Sequence, residues 1–337
     1  MLKKTNFQKR ASFRRINSSK EKIKGSRLGI AVLFLGTVLL SAFFWLKNQK
    51  GDWFKRWQEK LSQPFIYKIS GRSDKDLSKS FGVKLDLKDV EGLKKTINLL
   101  TKDLAGDYSL YFYNIKQKTS FNIKQDQVFK AASINKIPII VSFYQEVEKG
   151  RLDEEAEYVL QEQDIQNYGA GSMRYQEPGT KHQYVKLIEL VGKNSDNTAA
   201  YVIANLVGEK EIQKSLDKLG LEQTSIKENT TTPQEMGDYL VKLYENELVE
   251  EKYKEKIFNA LTGTDFEDRI PAGVPDHIQV AHKTGNEVQV YNDCGLILSV
   301  DPYVLCILTK GVEEEEALEI IPKISRAIWE YNKNIKN

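Results

Sequence analysis

The chain has 337 residues, of which 40% are hydrophobic, so it can bury one large core or two ordinary ones and is not a disordered tail. Its formal charge of +3 is uneven, because residues 1–27 carry ten Lys or Arg against the single acid Glu21, which leaves −6 on the rest of the chain. A mildly acidic remainder has no general attraction for nucleic acid, so we expect no nucleic-acid partner.

The first predicted element is a membrane span. Residues 28–46 contain no charged side chain, and as a helix they would extend about 28 Å, close to the hydrocarbon thickness of a bilayer. We therefore predict a transmembrane helix over residues 28–47. The positive-inside rule keeps residues 1–27 in the cytoplasm and places the rest outside, as a single-pass protein of the cell membrane. A cleaved signal peptide is the alternative, although residues 40–42 make a poor cleavage site.

A polar, lysine-rich segment follows the span. Residues 48–88 are predicted to form an extracytoplasmic stalk, with Trp53 and Trp57 as anchors at the membrane interface. The remaining residues, 89–337, are predicted to form one domain.

The predicted domain has strands near both of its ends and helices between them. A helical pattern ends at Gly106, and two β-rich runs, YSLYFYNI and TSFNI, then predict a hairpin. Helical patterns continue from Ser133 to about Leu261. The strand-like runs HIQVAHKTG, VYNDCGLILSV and YVLCILTKG precede a terminal helix, EEALEIIPKISRAIWEYNKNIK. Strands at both ends with helices between them predict an α/β (α+β) domain, in which a sheet of distant segments meets a helical lobe at a cleft.

The two cysteines lie in two of these apolar runs. Cys294 and Cys306 flank Asp301-Pro302, and a two-residue turn there would place Cys306 opposite Ile297. We therefore predict no disulfide and treat both cysteines as small buried apolar residues.

One lysine stands where an apolar helix enters the core. The pattern Ser-x-x-Lys begins at Ser19, Ser133 and Ser215, but only Ser133 opens a strongly apolar helix. On that helix Lys136 shares a face with Ser133, and an amine desolvated among isoleucines has a lowered pKa, so it can accept the serine proton. A serine cap whose lysine reaches water is the structural alternative.

Two further motifs could complete such a site. Residues 195–197 read Ser-Asp-Asn and precede a helix, where they could also be only an N-cap. Residues 283–285 read Lys-Thr-Gly at the end of a strand, where they could also be only a surface turn. The three motifs are separated by 62 and 88 residues.

In this order the three motifs resemble those of class A β-lactamases and penicillin-binding serine hydrolases. The resemblance covers residues from about 89 to 333 and includes the flanking text YGAGSMRYQEPGT and YNDCGLIL. It implies an antiparallel sheet flanked by helices, with an all-helical lobe. It also implies a serine acyl hydrolase that is acylated by a β-lactam or a peptidoglycan peptide and needs no cofactor.

The resemblance implies roles for the motif residues. Ser133 matches the nucleophile, Lys136 its proton acceptor, and Ser195 the relay to the leaving nitrogen. Asn197 matches the residue that binds the amide side chain of the substrate.

The substrate carboxylate and the oxyanion have their own implied partners. Lys283 and Thr284 match the carboxylate-binding pair, followed by Gly285, and the backbone N–H of Asn286 would complete the oxyanion hole with that of the nucleophile. Tyr168 is a candidate for the cleft wall. Arg269 is a candidate cation near the carboxylate, or a member of a structural ion pair.

One departure from the family concerns deacylation. Class A β-lactamases activate water with a glutamate in a long loop before the helix that here begins near Pro233. Only 38 residues separate Ser195 from Pro233, and the Glu-x-x-x-Asn motif of that loop is missing. We treat Glu222 and Glu228 as surface residues, so deacylation is expected to be slow.

Other functions stay open at this stage. A D,D-peptidase or another cell-wall hydrolase has the same motifs, and a non-catalytic sensor of the cell wall or of β-lactams belongs to a different class. His182, His277 and His282 have no spacing typical of metal ligands, so no metal site is predicted. We expect a monomer.

Overall fold

The computed structural model describes residue 87 and residues 89–335. Its helices are α1 (Val90–Thr101), α2 (Lys136–Glu148), α3 (Tyr184–Lys193), α4 (Asn197–Val207), α5 (Glu209–Lys218), α6 (Pro233–Tyr244), α7 (Glu251–Leu261) and α8 (Glu314–Asn334). Its strands are β1 (Asp107–Asn114), β2 (Thr119–Ile123), β3 (Phe129–Lys130), β4 (Glu157–Val159), β5 (Lys181–Gln183), β6 (Thr230–Thr231), β7 (Gln279–Glu287), β8 (Val290–Leu298) and β9 (Tyr303–Lys310).

The predicted N-terminal segments lie outside the described residues. These are the cytoplasmic segment 1–27, the membrane helix 28–47 and nearly all of the stalk 48–88. Within the part that the structure describes, no helix is both long and apolar enough to cross a membrane.

Five strands form the main sheet, in the order β2-β1-β9-β8-β7. All neighbouring pairs are antiparallel, including the predicted β1–β2 hairpin. Strand β1 comes from the start of the domain and β9 from near its end, so the sheet is assembled from distant segments, as predicted.

Both faces of the sheet are buried, and β9 shows why its sequence is apolar throughout. Val304, Cys306 and Leu308 pack into the core that the sheet shares with the central helices. Leu305 and Ile307 point the other way, into the core formed with α1 and α8. Because successive side chains of a strand alternate between faces, a strand that is covered on both sides needs apolar residues at every position.

The central helices form the predicted lobe. Side chains of α2, α3 and α4 share one core with those of α5, α6 and α7. The cleft that contains the motif residues lies where this lobe meets β7.

Two details differ from the sequence-based expectations. Helix α1 ends at Thr101 rather than Gly106, because the chain turns there and the N–H of Leu104 donates to the carbonyl of Thr101. The β8–β9 connection is longer than a two-residue turn, since Ile297 pairs with Tyr303.

That register changes the position of the cysteines. The prediction that Cys306 faces Ile297 is wrong, because Cys306 lies directly opposite Cys294. Within this longer turn the Ser299 hydroxyl donates to the carbonyl of Asp301 at 2.7 Å. Both thiols are free and fully buried, as expected of small apolar core residues.

Candidate active site

Ser133 lies on a single 3-10 turn, Ala132–Asn135, which leads directly into α2. The preceding residue, Ala132, has a left-handed backbone with φ of 50°. The side-chain amide of Asn135 fixes the turn by donating to the carbonyl of Ser225, at 3.1 Å, and to the side chain of Asn229. The turn thereby presents a partly buried Ser133 to the cleft.

Lys136 begins α2 and is only 7% exposed. Its ammonium donates to the carbonyl of Ser195 at 2.5 Å, to the Ser195 hydroxyl at 3.2 Å and to Oδ1 of Asn197 at 2.7 Å. Burial lowers the pKa of Lys136 to about 7, although the nearby charge of Asp196 opposes the shift. Near neutral pH this amine can therefore exist in both forms, which a proton acceptor requires.

The Ser-Asp-Asn motif forms the turn that enters α4. Ser195 has φ of 54°, and the carboxylate of Asp196 caps α4 by accepting from the backbone N–H of Ala199 at 2.9 Å. The same carboxylate accepts from the N–H of Met173 at 2.9 Å. The N-cap predicted as an alternative thus exists, but it is made by Asp196 and leaves the side chains of Ser195 and Asn197 directed to Lys136.

Two glycines make room for this motif. Gly169 and Gly171 have φ of 72° and 108°, and a Cβ at either would overlap the side chain of Asn197 or Asp196 respectively. The side-chain amide of Asn197 also donates to the carbonyl of Tyr168, in the same loop as the two glycines, at 3.0 Å. The small residues of YGAGSM therefore permit close contact between this loop and α4.

The Lys-Thr-Gly motif lies on β7, beside the turn that bears Ser133. A Cβ at Gly285 would meet the carbonyl of Ala131, so a glycine allows the strand to approach the turn. Lys283 is 1% exposed, and burial lowers its pKa well below the usual value. The charge of Lys136 lowers it further and that of Asp293 opposes the shift, so the two lysines are electrostatic neighbours.

A cleft of about 660 Å³ joins these elements. Seven of the predicted site residues line it: Ser133, Lys136, Tyr168, Ser195, Asn197, Thr284 and Asn286. The structure therefore brings together residues that are up to 153 positions apart in the sequence. Lys283 and Gly285 belong to the same strand but lie behind this lining.

Arg269 does not reach the cleft. It is 1% exposed, donates to the carbonyl of Asn292 at 2.7 Å, and lies over the ring of Tyr291. Its nearest acid is Asp268, at 3.7 Å. The contact with Asp268 fits the structural alternative given for Arg269, but its charge also lowers the pKa of Lys283, so Arg269 is an electrostatic neighbour of the predicted carboxylate-binding lysine as well. The aromatic side chain of Phe266, 5.5 Å from the Lys283 ammonium, lines the cleft instead.

His282 is a buried structural residue. It precedes Lys283 on β7, so the two side chains point to opposite faces of the strand. Its Nδ1 lies 2.9 Å from Asp293 and its Nε2 lies 3.3 Å from Glu267. Burial alone would lower the pKa of His282, but the two carboxylates raise it to about 9. The resulting imidazolium ties the loop that carries Phe266 to β8. No cluster of His, Cys, Asp or Glu among residues 89–335 has the arrangement of a metal site.

Some residues of the cleft wall were not predicted from the sequence. Tyr201 lines it four residues after Asn197, a spacing that could have identified it as part of the same helix face. Ile226 and Asn229 also line it, but nothing in their local sequence indicates this, because it depends on how residues 219–232 fold against α2. Glu222 and Glu228, in that segment, are exposed and do not line the cleft.

Comparisons with known proteins show the family and the fold. The Beta-lactamase2 family model, described as "Beta-lactamase enzyme family", matches residues 92–332. The chain is 25% identical over 251 residues to Beta-lactamase VEB-1 of Pseudomonas aeruginosa, covering 66% of this chain and 84% of that one. It is similar to the solved structure of PBP-A, with 27% identity and a TM-score of 0.68 over 72% of this chain and 96% of that one. The β-lactamase from Sphaerobacter thermophilus DSM 20745 shares the fold, with 23% identity and a TM-score of 0.69 over 74% and 100%.

Proposed function

We propose that this chain, which belongs to the β-lactamase enzyme family, is a serine acyl hydrolase whose Ser133 hydroxyl is acylated by β-lactams or related peptidoglycan peptides. One observation carries the proposal. The buried amine of Lys136 bridges the Ser133 turn to Ser195 and Asn197 on the wall of a single cleft. The same amine has a pKa of about 7, so it can take a proton from one neighbour and pass it to another.

The proposed acylation step uses these groups in turn. The neutral amine of Lys136 removes the Ser133 proton, and the serine oxygen attacks the carbonyl carbon of the substrate. Backbone N–H groups of Ser133 and Asn286 stabilise the resulting oxyanion. When the carbon–nitrogen bond breaks, the proton passes from the Lys136 ammonium through the Ser195 hydroxyl to the leaving nitrogen. The products are an ester on Ser133 and a free amine.

We propose that hydrolysis of this ester is slow. Ile226 and Asn229 are the residues of the segment 219–232 that line the cleft, and neither is an acid. Glu222 and Glu228 are directed to solvent, so this segment has no carboxylate to activate water against the ester. A mutant of the similar protein PBP-A forms an acyl-enzyme complex with penicillin G, which supports acylation of Ser133.

The test is covalent labelling of the full-length protein with a fluorescent penicillin, followed by intact-mass measurement. We expect one adduct per chain in the wild type and none in Ser133→Ala. The matched control is Ser215→Ala, which removes the serine of another Ser-x-x-Lys pattern, on α5. Absence of any adduct on the wild type, while a known penicillin-binding enzyme is labelled, would refute the proposal.

The release rate separates the alternatives. A persistent adduct favours a D,D-peptidase or another cell-wall acyl hydrolase, because β-lactam turnover is then not the main activity. Rapid release would contradict the inference of slow deacylation and favour an efficient β-lactamase. A non-catalytic cell-wall or β-lactam sensor predicts that Ser133→Ala leaves ligand binding and every cellular phenotype unchanged.

We also propose that the enzyme is a monomer held at the outer face of the cell membrane by residues 28–47. The apolar run and the basic block before it support this orientation. Fractionation followed by protease treatment of intact cells tests it, because only an extracytoplasmic domain is then digested.

A further inference from the structure

The cleft extends beyond the residues that the acylation step uses. Asn197, Ala200, Tyr201 and Ala204 all line it, and their spacing of three, four and seven residues places them on one face of α4. From Asn197 to Ala204 this wall runs about 10 Å along the helix. The cleft therefore continues along α4, past the position that would hold the amide of a substrate side chain.

Small residues keep this extension open while aromatic residues border it. Ala200 and Ala204 leave space against the helix, whereas Tyr168 and Tyr201 line the cleft with rings that are 66% and 37% exposed. The two tyrosines are neighbours of the same residue, since Asn197 binds the carbonyl of Tyr168 and lies one turn before Tyr201. Exposed aromatic faces in a cleft are suited to contact a cation or an apolar chain.

Charge distinguishes between these two ligands. Glu209, the first residue of α5, lines the same cleft, is exposed and has no ion pair with any described residue. Glu287 is the other acid in the lining, and the only cation of the described lining, Lys136, is buried. The open part of the cleft is therefore acidic. A carboxylate in the first turn stabilises its helix, but that role does not require Glu209 to face the cleft beside exposed tyrosines.

We propose that this extension is a subsite for a primary ammonium group on the acyl side chain of the substrate. The carboxylate of Glu209 would pair with the ammonium, while the rings of Tyr168 and Tyr201 contact it and the methylene groups that precede it. A peptide with a lysine or another diamino acid upstream of the reacting carbonyl has this chemistry. The inference rests on the proposed function, because it names the substrate class of the same cleft.

The test compares two penicillins that differ at one position. Both carry a 6-aminohexanoyl side chain, which ends in a free ammonium in one and in a neutral acetamide in the other. The rate constant for acylation of the full-length protein is measured for each. We expect the wild type to prefer the ammonium compound by about two- to fivefold, which is the effect of an exposed ion pair, and to lose the preference in high salt.

The variants locate the effect. Glu209→Gln should bring the ratio of the two rate constants close to one, with little change for the acetamide compound. Tyr201→Ala should slow acylation by both compounds, because its ring also contacts the methylene groups that they share. Glu211→Gln is the matched control, because Glu211 is an exposed acid on the same helix that pairs with Lys214 outside the cleft. It should leave the ratio unchanged.

The outcomes separate this inference from the proposed function. If neither penicillin acylates Ser133, the proposed function itself fails. If both acylate but the wild type shows no preference, or if Glu209→Gln leaves the preference intact, the ammonium subsite is refuted while the acyl hydrolase remains. A preference that is lost in Glu287→Gln instead would place the cation at the opposite rim and also overturn the assignment.

Discussion

At the scale of single residues, the placement of Lys136 explains an ammonium group inside an apolar run. Ile134, Ile137 and Ile140 are fully buried around the start of α2. They exclude water from the amine, and this desolvation is the main cause of its lowered pKa. The hydrophobic neighbours thus contribute both to the core and to the reactivity of the lysine.

The first prediction concerns pH. Below pH 7 Lys136 is mostly protonated and cannot accept the Ser133 proton, so acylation should slow as the pH falls. Between pH 8 and pH 5.5 we expect a decrease of roughly 30-fold in the acylation rate constant, with an apparent pKa near 7. Stopped-flow labelling with a penicillin across this range measures it.

Two lysine variants control this experiment. Lys136→Arg should not be acylated at any of these pH values, since a guanidinium stays charged. Lys218→Arg changes the lysine of the Ser-x-x-Lys pattern on α5 and should keep the wild-type profile. A wild-type rate that does not depend on pH would exclude Lys136 as the proton acceptor.

At the scale of elements, the loop before β5 and the start of α4 must approach each other closely. Gly171 provides the space for the capping carboxylate of Asp196, which in turn fixes Ser195 and Asn197. The site therefore depends on a glycine that has no chemical role of its own.

The second prediction tests this contact. Gly171→Ala should lower the free energy of unfolding by roughly 2–3 kcal/mol, because it adds both a strained φ and an overlap with Asp196. It should also slow penicillin acylation. Gly179→Ala is the matched control, since Gly179 has φ of 93° but open space around it. Gly179→Ala should lower the free energy of unfolding by only about 1 kcal/mol and leave acylation unchanged. Equal effects of the two variants on acylation would show that backbone strain, rather than the contact, matters.

Local patterns were sufficient to predict most elements. The apolar period identifies α3 and α4, and the continuous apolar run identifies β9, because these signals depend on neighbours within the element. The 3-10 turn at 132–135 was not predicted, since it depends on hydrogen bonds to Ser225 and Asn229. The predicted register of β8 and β9 was wrong because Asp301-Pro302 indicates a turn but not the length of the loop that contains it.

The same distinction applies to the site. The three motifs could be identified from the sequence because each is a short contiguous string of residues. Phe266 and Ile226 could not, because they reach the cleft only after distant segments have packed. Arg269 shows the opposite case: its residue type is suited to bind a carboxylate, but its guanidinium is buried and donates to the backbone carbonyl of Asn292.

At the scale of the whole molecule, the central sheet separates two cores. Cys294 and Cys306 lie opposite each other on β8 and β9, and both belong to the core shared with the helical lobe. Burial raises the pKa of each thiol, so neither reacts as a thiolate while the sheet is intact.

The third prediction follows from this position. In the native protein an aromatic disulfide reagent should modify neither cysteine over hours, whereas two thiols per chain should react at once in denaturant. The native-state rate should follow the rate of global unfolding, because exposing either thiol requires the sheet to open. Rapid modification of the folded protein, with acylation of Ser133 retained, would show that the β8–β9 hairpin opens by itself.

The place of β9 within the sheet has a consequence for biosynthesis. This strand pairs with β1 on one edge and β8 on the other, yet the ribosome makes it last of the nine strands found in residues 89–335. A nascent chain that has reached residue 300 already contains Ser133, Lys136 and Lys283, but its β1–β2 hairpin still has an unpaired edge, which is prone to aggregate. The sheet that supports the proposed catalytic centre is therefore completed only in the final stage of synthesis, and until then a chaperone that shields β1 would protect the unfinished protein.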